Sequence, residues 1–190
     1  MHIISWDVGI RNMTYCLLDE NIIIQWANID ILEGTNIDIL EGTNKLTFYE
    51  QNKLLVEKLD KIDNILNVDY VLIENQPGFK NPIMKTIQMI LYTYYLIRDA
   101  IDSPRIKEII LINPTNKLKV YKGPPIKCMH TNKYRRNKYL AIEHCKYMLK
   151  DFPDELQFLI ESNKKDDLAD SYLQGMYFFH NKFKYLNINR

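Results

Sequence analysis

The chain has 190 residues, which fits one domain over 1–190 with a real hydrophobic core and leaves little room for a second. Its 25 Lys and Arg residues nearly balance 24 Asp and Glu residues, and no apolar run reaches the roughly 18 to 20 residues that a membrane span requires. An aspartate within the first apolar run argues against a signal peptide, and three cysteines without C-x-x-C spacing indicate an intracellular, reducing compartment.

The first part of the chain predicts three strands that pair as an antiparallel meander. They are His2–Asp7, a segment around Thr14–Leu18, and Ile22–Ala27. The octapeptide NIDILEGT at 28–35 then recurs unchanged at 36–43, which suggests a lengthened hairpin or loop. Its even length preserves the two faces of any strand that passes through it, and we assign it no chemistry.

The rest of the chain alternates helices and strands. The predicted elements are a helix over 47–66, a strand at Tyr70–Glu74, a helix from Pro82 to about Ala100, a strand at Ile106–Ile112, an ordered loop over 115–131, a basic helix over 133–150, a break at Pro153, and a last helix near Lys164–His180. This order is that of the RNase H-like fold, an α/β fold. In it a mixed five-stranded sheet, with an antiparallel 1-2-3 meander and further parallel strands, is flanked by helices.

The net charge of +1 conceals a strong asymmetry along the chain. Residues 1–74 carry 5 Lys and Arg against 13 Asp and Glu, whereas residues 104–150 carry 12 against 2. Tyrosines are interleaved with the basic residues of the second segment. Segregated charges of this kind predict a basic surface that meets a polyanion such as nucleic acid.

Four acids lie where the predicted topology brings chain segments together. Asp7 ends the first strand, and Glu74 ends the fourth, which in this fold lies parallel beside the first. Asp167 and Asp170 are three residues apart, so they share one face at the start of the last helix. Taken singly, each acid also suits a turn or a helix N-terminus. The convergence of all four at these points is what predicts a site.

Carboxylates gathered this closely repel one another unless a cation balances their charge. Oxygen ligands suit hard divalent ions such as Mg²⁺ or Mn²⁺, and two such ions in one site promote phosphodiester hydrolysis. The sequence has no His/Cys cluster that would favour zinc.

Three segments carry a family resemblance. SWDVGIRN at 5–12 resembles the first strand of RuvC-like resolvases, and KKDDLADS at 164–171 resembles their ending Lys-x-Asp-x-x-Asp-Ala/Ser. LIENQPGFKNPIMKTIQMILYTYY at 72–95 is similar to the branch from poxviruses and other large DNA viruses, with its Ile-Glu-x-Gln and Pro-x-Met-x-x-Ile-Gln patterns. Where some relatives carry a histidine after the last aspartate, this chain has Tyr172.

The resemblance implies a homodimeric Holliday junction resolvase that cuts four-way DNA junctions by paired symmetric nicks. Asp7, Glu74, Asp167 and Asp170 would be the catalytic metal ligands for two Mg²⁺ ions, with Mn²⁺ as a substitute. Lys119 or Lys138 would assist at the scissile phosphate. If the protein is viral, the resemblance implies the cytoplasmic replication site or the virion.

Two surfaces complete these expectations. We expect the basic residues between the last strand and the last helix to hold the junction, with no membrane contact; they are Lys117, Lys119, Lys122, Lys133, Arg135, Arg136 and Lys138. We expect the Ile-, Met- and Tyr-rich helix 82–100 to form the dimer contact, because its aromatic content exceeds what one core stripe buries.

Two alternatives remain open. One half of an actin-like or sugar-kinase-like ATPase shares the fold, and the pattern D-x-G-x-x-N at 7–12 also opens its phosphate-binding hairpin. The length of the chain and the lack of a Gly-rich adenosine motif near its C-terminus disfavour that interpretation. A non-catalytic junction-binding module is disfavoured because anions beside phosphate oppose DNA binding.

Overall fold

The structure, a computed structural model, describes residues 1–33, 46–79, 81–102 and 104–188. The strands are β1 (His2–Asp7), β2 (Met13–Asp19), β3 (Ile22–Ile29), β4 (Tyr70–Glu74) and β5 (Glu108–Ile112). The helices are α1 (Phe48–Leu59), α2 (Pro82–Ile101), α3 (Lys133–Met148), α4 (Pro153–Glu161) and α5 (Lys165–Ile188), with a 3₁₀ helix at Pro114–Val120. No helix within these ranges is long and apolar enough to cross a bilayer.

The strands form one sheet in the order β3-β2-β1-β4-β5. β1 pairs antiparallel with β2, which pairs antiparallel with β3, whereas β4 runs parallel to both β1 and β5. The predicted mixed sheet is therefore confirmed, with the β1–β4 pair at its centre. Every residue of β4 is buried, as expected for a short apolar strand covered on both faces.

Helices cover both faces of the sheet, and alternate residues of each strand feed a separate core. Ile3, Leu72 and Ile112 belong to the cluster that packs against α3, α4 and α5. Ile4 and Ile73 belong to the opposite cluster, which packs against α1 and α2. Because side chains alternate along a strand, residues 3, 5 and 7 of β1 face α5.

α5 lies very close to the sheet at Gly175. A Cβ atom at this position would lie 2.6 Å from Leu18 Cδ1, so glycine permits the approach. The start of α5 is held by two further contacts. Thr14 Oγ1 donates to the Asp167 carbonyl oxygen at 2.7 Å, and Trp26 Nε1 donates to the Leu168 carbonyl oxygen at 3.1 Å.

α1 is clearly shorter than predicted, whereas the ends of the strands differ from prediction by at most two residues. α1 begins with a Thr47–Glu50 capping box and ends at Leu59 rather than at 66. Ile62 and Leu66 still pack against the core, so the apolar periodicity extends beyond the helix. Most of the repeated octapeptide lies outside the described residues, and β3 ends at Ile29, near the start of its first copy.

Two segments predicted to be irregular contain helices that the sequence did not predict. The ordered loop predicted over 115–131 begins as the 3₁₀ helix, in which the Asn113 side chain accepts from Thr115 N at 2.9 Å. The chain breaks after α3 as predicted, but Pro153 also begins the additional helix α4, because proline at the first helical position lacks only a hydrogen bond that the helix does not need.

Candidate active site

Asp7 and Glu74 are adjacent because β1 and β4 pair in register. Ile3 lies opposite Tyr70 and Ser5 opposite Leu72, so the next residues on the same face are Asp7 and Glu74. Their carboxyl groups hydrogen-bond to each other, and both face α5 at the carboxyl ends of their strands.

The third carboxylate of this cluster comes from α5. Asp170 lies on the sheet-facing side of the helix, and its charge interacts with those of Asp7, Glu74 and Asp167. Asp167 lies one turn earlier, and its Oδ1 lies 3.9 Å from Lys138 Nζ. The structure therefore brings Asp7, Glu74 and Asp170 together and places Asp167 near Asp170, with a side chain 19% exposed against 16% for Asp170.

The ammonium group of Lys117 lies among the clustered acids. It donates to Glu74 Oε1 at 3.3 Å and also to Asp170 Oδ2. The 3₁₀ helix makes this possible, because Lys117 follows the Asn113-Pro114 turn at the end of β5, beside β4. The side chains of Lys117 and Asp170 are each only 16% exposed, so water screens these charges poorly.

The pKa values of the site reflect burial and crowding of like charges. Burial, with the charge of Glu74, raises the pKa of Asp7 well above its ordinary range. Burial also raises the pKa of Asp170 to about 6, although Lys117 opposes the shift. Burial alone would raise the pKa of Glu74, but hydrogen bonds from Asp7, Lys117 and Gln76 lower it on balance. Burial alone would lower the pKa of Lys117, but the charges of Asp170, Glu74 and Asp7 raise it.

A second ion pair connects α3 to the start of α5. Lys138 Nζ bonds to Asp166 Oδ2 and lies 3.9 Å from Asp167 Oδ1. Burial alone would raise the pKa of Asp166, but Lys138 lowers it, whereas burial and the Asp166 charge raise the pKa of Asp167. Lys138 therefore neutralises Asp166 more than Asp167.

The segment after β4 adds an ordered polar network. Gln76 Nε2 donates to Glu74 Oε2 at 2.9 Å, on the carboxylate oxygen that Lys117 does not contact. Gln76 N in turn donates to Oε1 of the fully buried Gln88 on α2 at 2.7 Å. Glu74 is thus hydrogen-bonded through both oxygens.

The predicted basic residues fall into three places. Lys117, Lys133 and Lys138 line an open cavity of about 500 Å³ that Tyr134 and Asp170 also line, beside the acids. Arg135 and Arg136 are exposed in the first turn of α3. Lys119 and Lys122 line a separate cavity of about 370 Å³ with His180, beyond the 3₁₀ helix. Lys119 also bonds to Asn116 Oδ1 at 2.8 Å.

The sequence reasoning missed three residues of the site. The sequence places Lys117 only among the DNA-contacting residues and predicts Lys119 or Lys138 at the scissile phosphate. Gln76 and Gln88 were noted only as parts of motifs. Asn113-Pro114 ends β5 and begins the 3₁₀ helix, which was the available signal that Lys117 turns back toward β4. Tyr172, which stands where relatives carry a histidine, is buried and packs 5.7 Å from the Trp26 ring.

The donor atoms of this cluster fit a hard divalent cation. Carboxylate oxygens are the ligands that Mg²⁺ and Mn²⁺ prefer, and the raised pKa values of Asp7 and Asp170 reflect buried carboxyl groups short of positive charge. In the part of the chain that the structure describes, no three His, Cys, Asp or Glu side chains already form a metal-binding group. Lys117 lies in the intervening space, so a metal ion would require its ammonium group to move aside.

One comparison with known proteins shows the family of the chain, and another shows its fold. The family model described as Poxvirus A22 protein matches residues 1–182. The uncharacterized protein L451 of Acanthamoeba polyphaga mimivirus is 41% identical over 135 residues, which are 65% of this chain and 32% of that protein. The chain therefore spans about a third of the length of this curated relative.

Three solved structures resemble nearly the whole chain. The fowlpox virus resolvase in complex with Holliday junction DNA has a TM-score of 0.58 at 23% identity, covering 96% of this chain and 99% of that one. The yeast mitochondrial Holliday junction resolvase Ydc2 has a TM-score of 0.59 at 19% identity, covering 98% and 83%. Thermus thermophilus RuvC, also with a Holliday junction, has a TM-score of 0.58 at 10% identity, covering 96% of each chain. The chain thus has the RNase H-like fold of the RuvC type and belongs to the Poxvirus A22 protein family.

Proposed function

We propose that the protein is a metal-dependent endonuclease that resolves four-way DNA junctions by paired symmetric nicks. The observation that carries the proposal is the burial of Asp7, Glu74 and Asp170 against one another at the ends of β1, β4 and the first turns of α5. Burying like charges costs stability, and a protein retains such a cluster where chemistry needs it. Family membership and likeness to a resolvase solved with its Holliday junction support the choice of substrate.

Asp7, Glu74, Asp167 and Asp170 would together hold two Mg²⁺ ions, for which Mn²⁺ would substitute. When bound, the ions lower the pKa of the attacking water and stabilise the leaving 3′ oxygen. Asp167, whose charge interacts with that of Asp170, would complete the ligand set. Lys138 pairs with the neighbouring acid Asp166, which is not one of the four proposed ligands.

The lysines of the cleft would bind the DNA strand. Lys133 and Lys138 line the same cavity as Asp170, and the Lys138 ammonium also lies 5.2 Å from the Tyr134 ring centroid. Phosphate contacts from these side chains would hold the scissile strand over the carboxylates, and such contacts carry little base information. Lys117 is the cation best placed to approach the cleaved phosphate, since its ammonium group already lies between Glu74 and Asp170.

We further propose that the enzyme is a homodimer joined through α2. The tyrosines Tyr94 and Tyr95 are buried in the core, so they are not the basis of the contact, contrary to the expectation from aromatic content. Aliphatic side chains form the exposed part instead: Ile83, Met89, Leu96, Ile97 and Ile101. An apolar cavity of about 420 Å³ lies on this side of α2, lined in part by Met89 and Ile97. A second copy of α2 would cover this surface. The resulting two-fold dimer would place one active site at each of the two equivalent DNA strands of the junction.

Cleavage of a four-way junction distinguishes this proposal from the open alternatives. Each strand of a fixed-sequence junction is labelled in turn and incubated with Mg²⁺ or with EDTA, and a linear duplex of the same sequence serves as the control. We expect paired nicks in opposite strands, in Mg²⁺ alone and on the junction alone. Tight binding without cleavage would favour the non-catalytic module, and ATP hydrolysis without cleavage would favour the ATPase half.

A further inference from the structure

A buried glutamine on α2 fixes the chain segment that follows Glu74. Gln88 is fully buried, and its Oε1 accepts from Gln76 N at 2.7 Å and from Lys85 Nζ at 3.2 Å. Both partners can only donate, so the amide oxygen of Gln88 must face them. The Lys85 ammonium also donates to Asn75 Oδ1 at 3.0 Å, so α2 holds two successive residues after β4.

This segment has a second anchor on the sheet. Asn75 N donates to the Ile112 carbonyl oxygen at 2.8 Å, which continues the β4–β5 pairing by one residue. The backbone of residues 75 and 76 is thereby fixed from β5 on one side and from α2 on the other. The side chain of Gln76 leaves this fixed backbone toward Glu74 and donates to its Oε2.

The contacts form a continuous path from the helix to the active carboxylate. Gln88 fixes the amide of Gln76, and Gln76 binds one oxygen of Glu74 while Lys117 binds the other. We propose that Gln88 is a positioning residue that acts through Gln76 to orient the Glu74 carboxylate for metal binding. This inference rests on the proposed metal site, and it assigns to α2 a catalytic support role in addition to its place in the core.

The chemistry of the path predicts which substitutions matter. Gln88→Met keeps the length of the side chain but removes the acceptor, which leaves the Gln76 N–H without its partner. Gln88→Glu keeps an acceptor for both Gln76 N and the Lys85 ammonium. Gln76→Met removes the donor to Glu74 and leaves Gln88 in place. Removing the acceptor at Gln88 and removing the donor at Gln76 should therefore have the same consequence, which is a less well oriented Glu74 carboxylate.

The test is Mn²⁺ affinity, measured by electron paramagnetic resonance on the full chain without DNA. We expect Gln88→Met and Gln76→Met each to weaken Mn²⁺ binding roughly three- to tenfold, the effect of about one neutral hydrogen bond. Gln88→Glu should bind Mn²⁺ close to the wild-type affinity. The double variant Gln76→Met/Gln88→Met should be no weaker than Gln76→Met alone, because both changes break one path.

Tyr94→Phe is the matched control for damage to α2. It removes a hydrogen bond of 2.8 Å from α2 to Asp60, away from Glu74, so it should lower the melting temperature and leave Mn²⁺ affinity unchanged. Additive effects in the double variant, or wild-type affinity in Gln76→Met, would overturn the positioning role. The second of these outcomes would overturn the role even if Gln88→Met fails to fold. Unchanged Mn²⁺ affinity in Glu74→Gln would overturn the metal site and the positioning role together.

Discussion

Lys117 Nζ lies 3.3 Å from Glu74 Oε1, so the basic segment of the chain supplies the counter-charge of the acidic site. The same ammonium group bonds to Asp170, and both carboxylates are largely buried. Lys117 therefore supplies positive charge to two of the buried carboxylates.

Replacing Lys117 by methionine tests this role in the metal-free protein. We expect Lys117→Met to lower the free energy of unfolding in EDTA by about 3 kcal/mol, because it leaves buried carboxylates without a partner. Mg²⁺ should then raise the melting temperature of the variant more than that of the wild type. Urea denaturation measures the first effect and thermal scans the second.

Lys119→Met is the control, since Lys119 is exposed and bonds to Asn116 rather than to an acid. Its effect on stability should stay within about 0.5 kcal/mol. Equal stability of Lys117→Met and the wild type in EDTA would argue against the counter-charge role.

Asp170→Asn should stabilise the metal-free protein at neutral pH. The pKa of Asp170 rises from its ordinary value of 3.8 to about 6 on folding, so the folded chain binds the proton more tightly than the unfolded chain. The stability from this group is complete below pH 3.8 and is lost as pH rises through about 6. Asparagine resembles the protonated form, so the variant should gain up to about 3 kcal/mol at neutral pH in EDTA.

Denaturation curves across the range between the two pKa values measure this effect. The fall in stability from pH 3.8 to about 6 should be smaller in Asp170→Asn than in the wild type. A variant that is less stable than the wild type at neutral pH would show that the pair with Lys117 outweighs the burial of charge.

Ile97→Glu should separate the proposed dimer. Ile97 is half exposed on α2 beside the apolar cavity, and a buried carboxylate at the contact would oppose association. Light scattering should give a dimer for the wild type and for the control Ile160→Glu on α4, and a monomer for Ile97→Glu. The monomer should nick one strand of the junction independently of the opposite strand. A monomeric wild type at working concentration would rule the proposal out.

Neutralising Arg135 and Arg136 tests the basic surface at the start of α3. Removing one phosphate-binding charge should lower the slope of log K against log salt by roughly one unit. Arg135→Gln/Arg136→Gln should therefore weaken binding to all junction sequences alike and flatten the salt dependence. The control is Lys53→Gln/Lys61→Gln, which also removes two positive charges, but from α1 and the segment just after it. Equal slopes in the two double variants would mean that DNA lies elsewhere.

Strong local signals made parts of the site predictable. β1 and β4 are apolar runs that each end in an acid, and their parallel pairing follows from the order of elements. The start of α2 was also predictable, because Asn81 caps the helix and Pro82 occupies its first position. All of these signals are local. The apolar runs of β1 and β4 and their pairing are the ones that predict the positions of Asp7 and Glu74.

The rest depended on contacts between distant segments. The position of Lys117 depends on the 3₁₀ helix after β5, and the composition of the basic segment cannot distinguish it from Lys119 two residues later. The position of Asp167 relative to the other acids depends on the contact of α5 with Thr14 and on Lys138, which pairs with Asp166 and lies 3.9 Å from Asp167 Oδ1. Helical spacing showed only that Asp167 and Asp170 share a face.

Single-turnover cleavage of a four-way junction by Asp7→Asn is the most direct test of the central claim that these carboxylates carry metal-dependent cleavage. In Mg²⁺ the variant should lose cleavage and keep or tighten junction binding, because a negative charge beside phosphate is removed. Asp154→Asn, which changes an exposed acid on α4, should leave cleavage at the wild-type rate. Cleavage by Asp7→Asn at close to the wild-type rate would contradict the account.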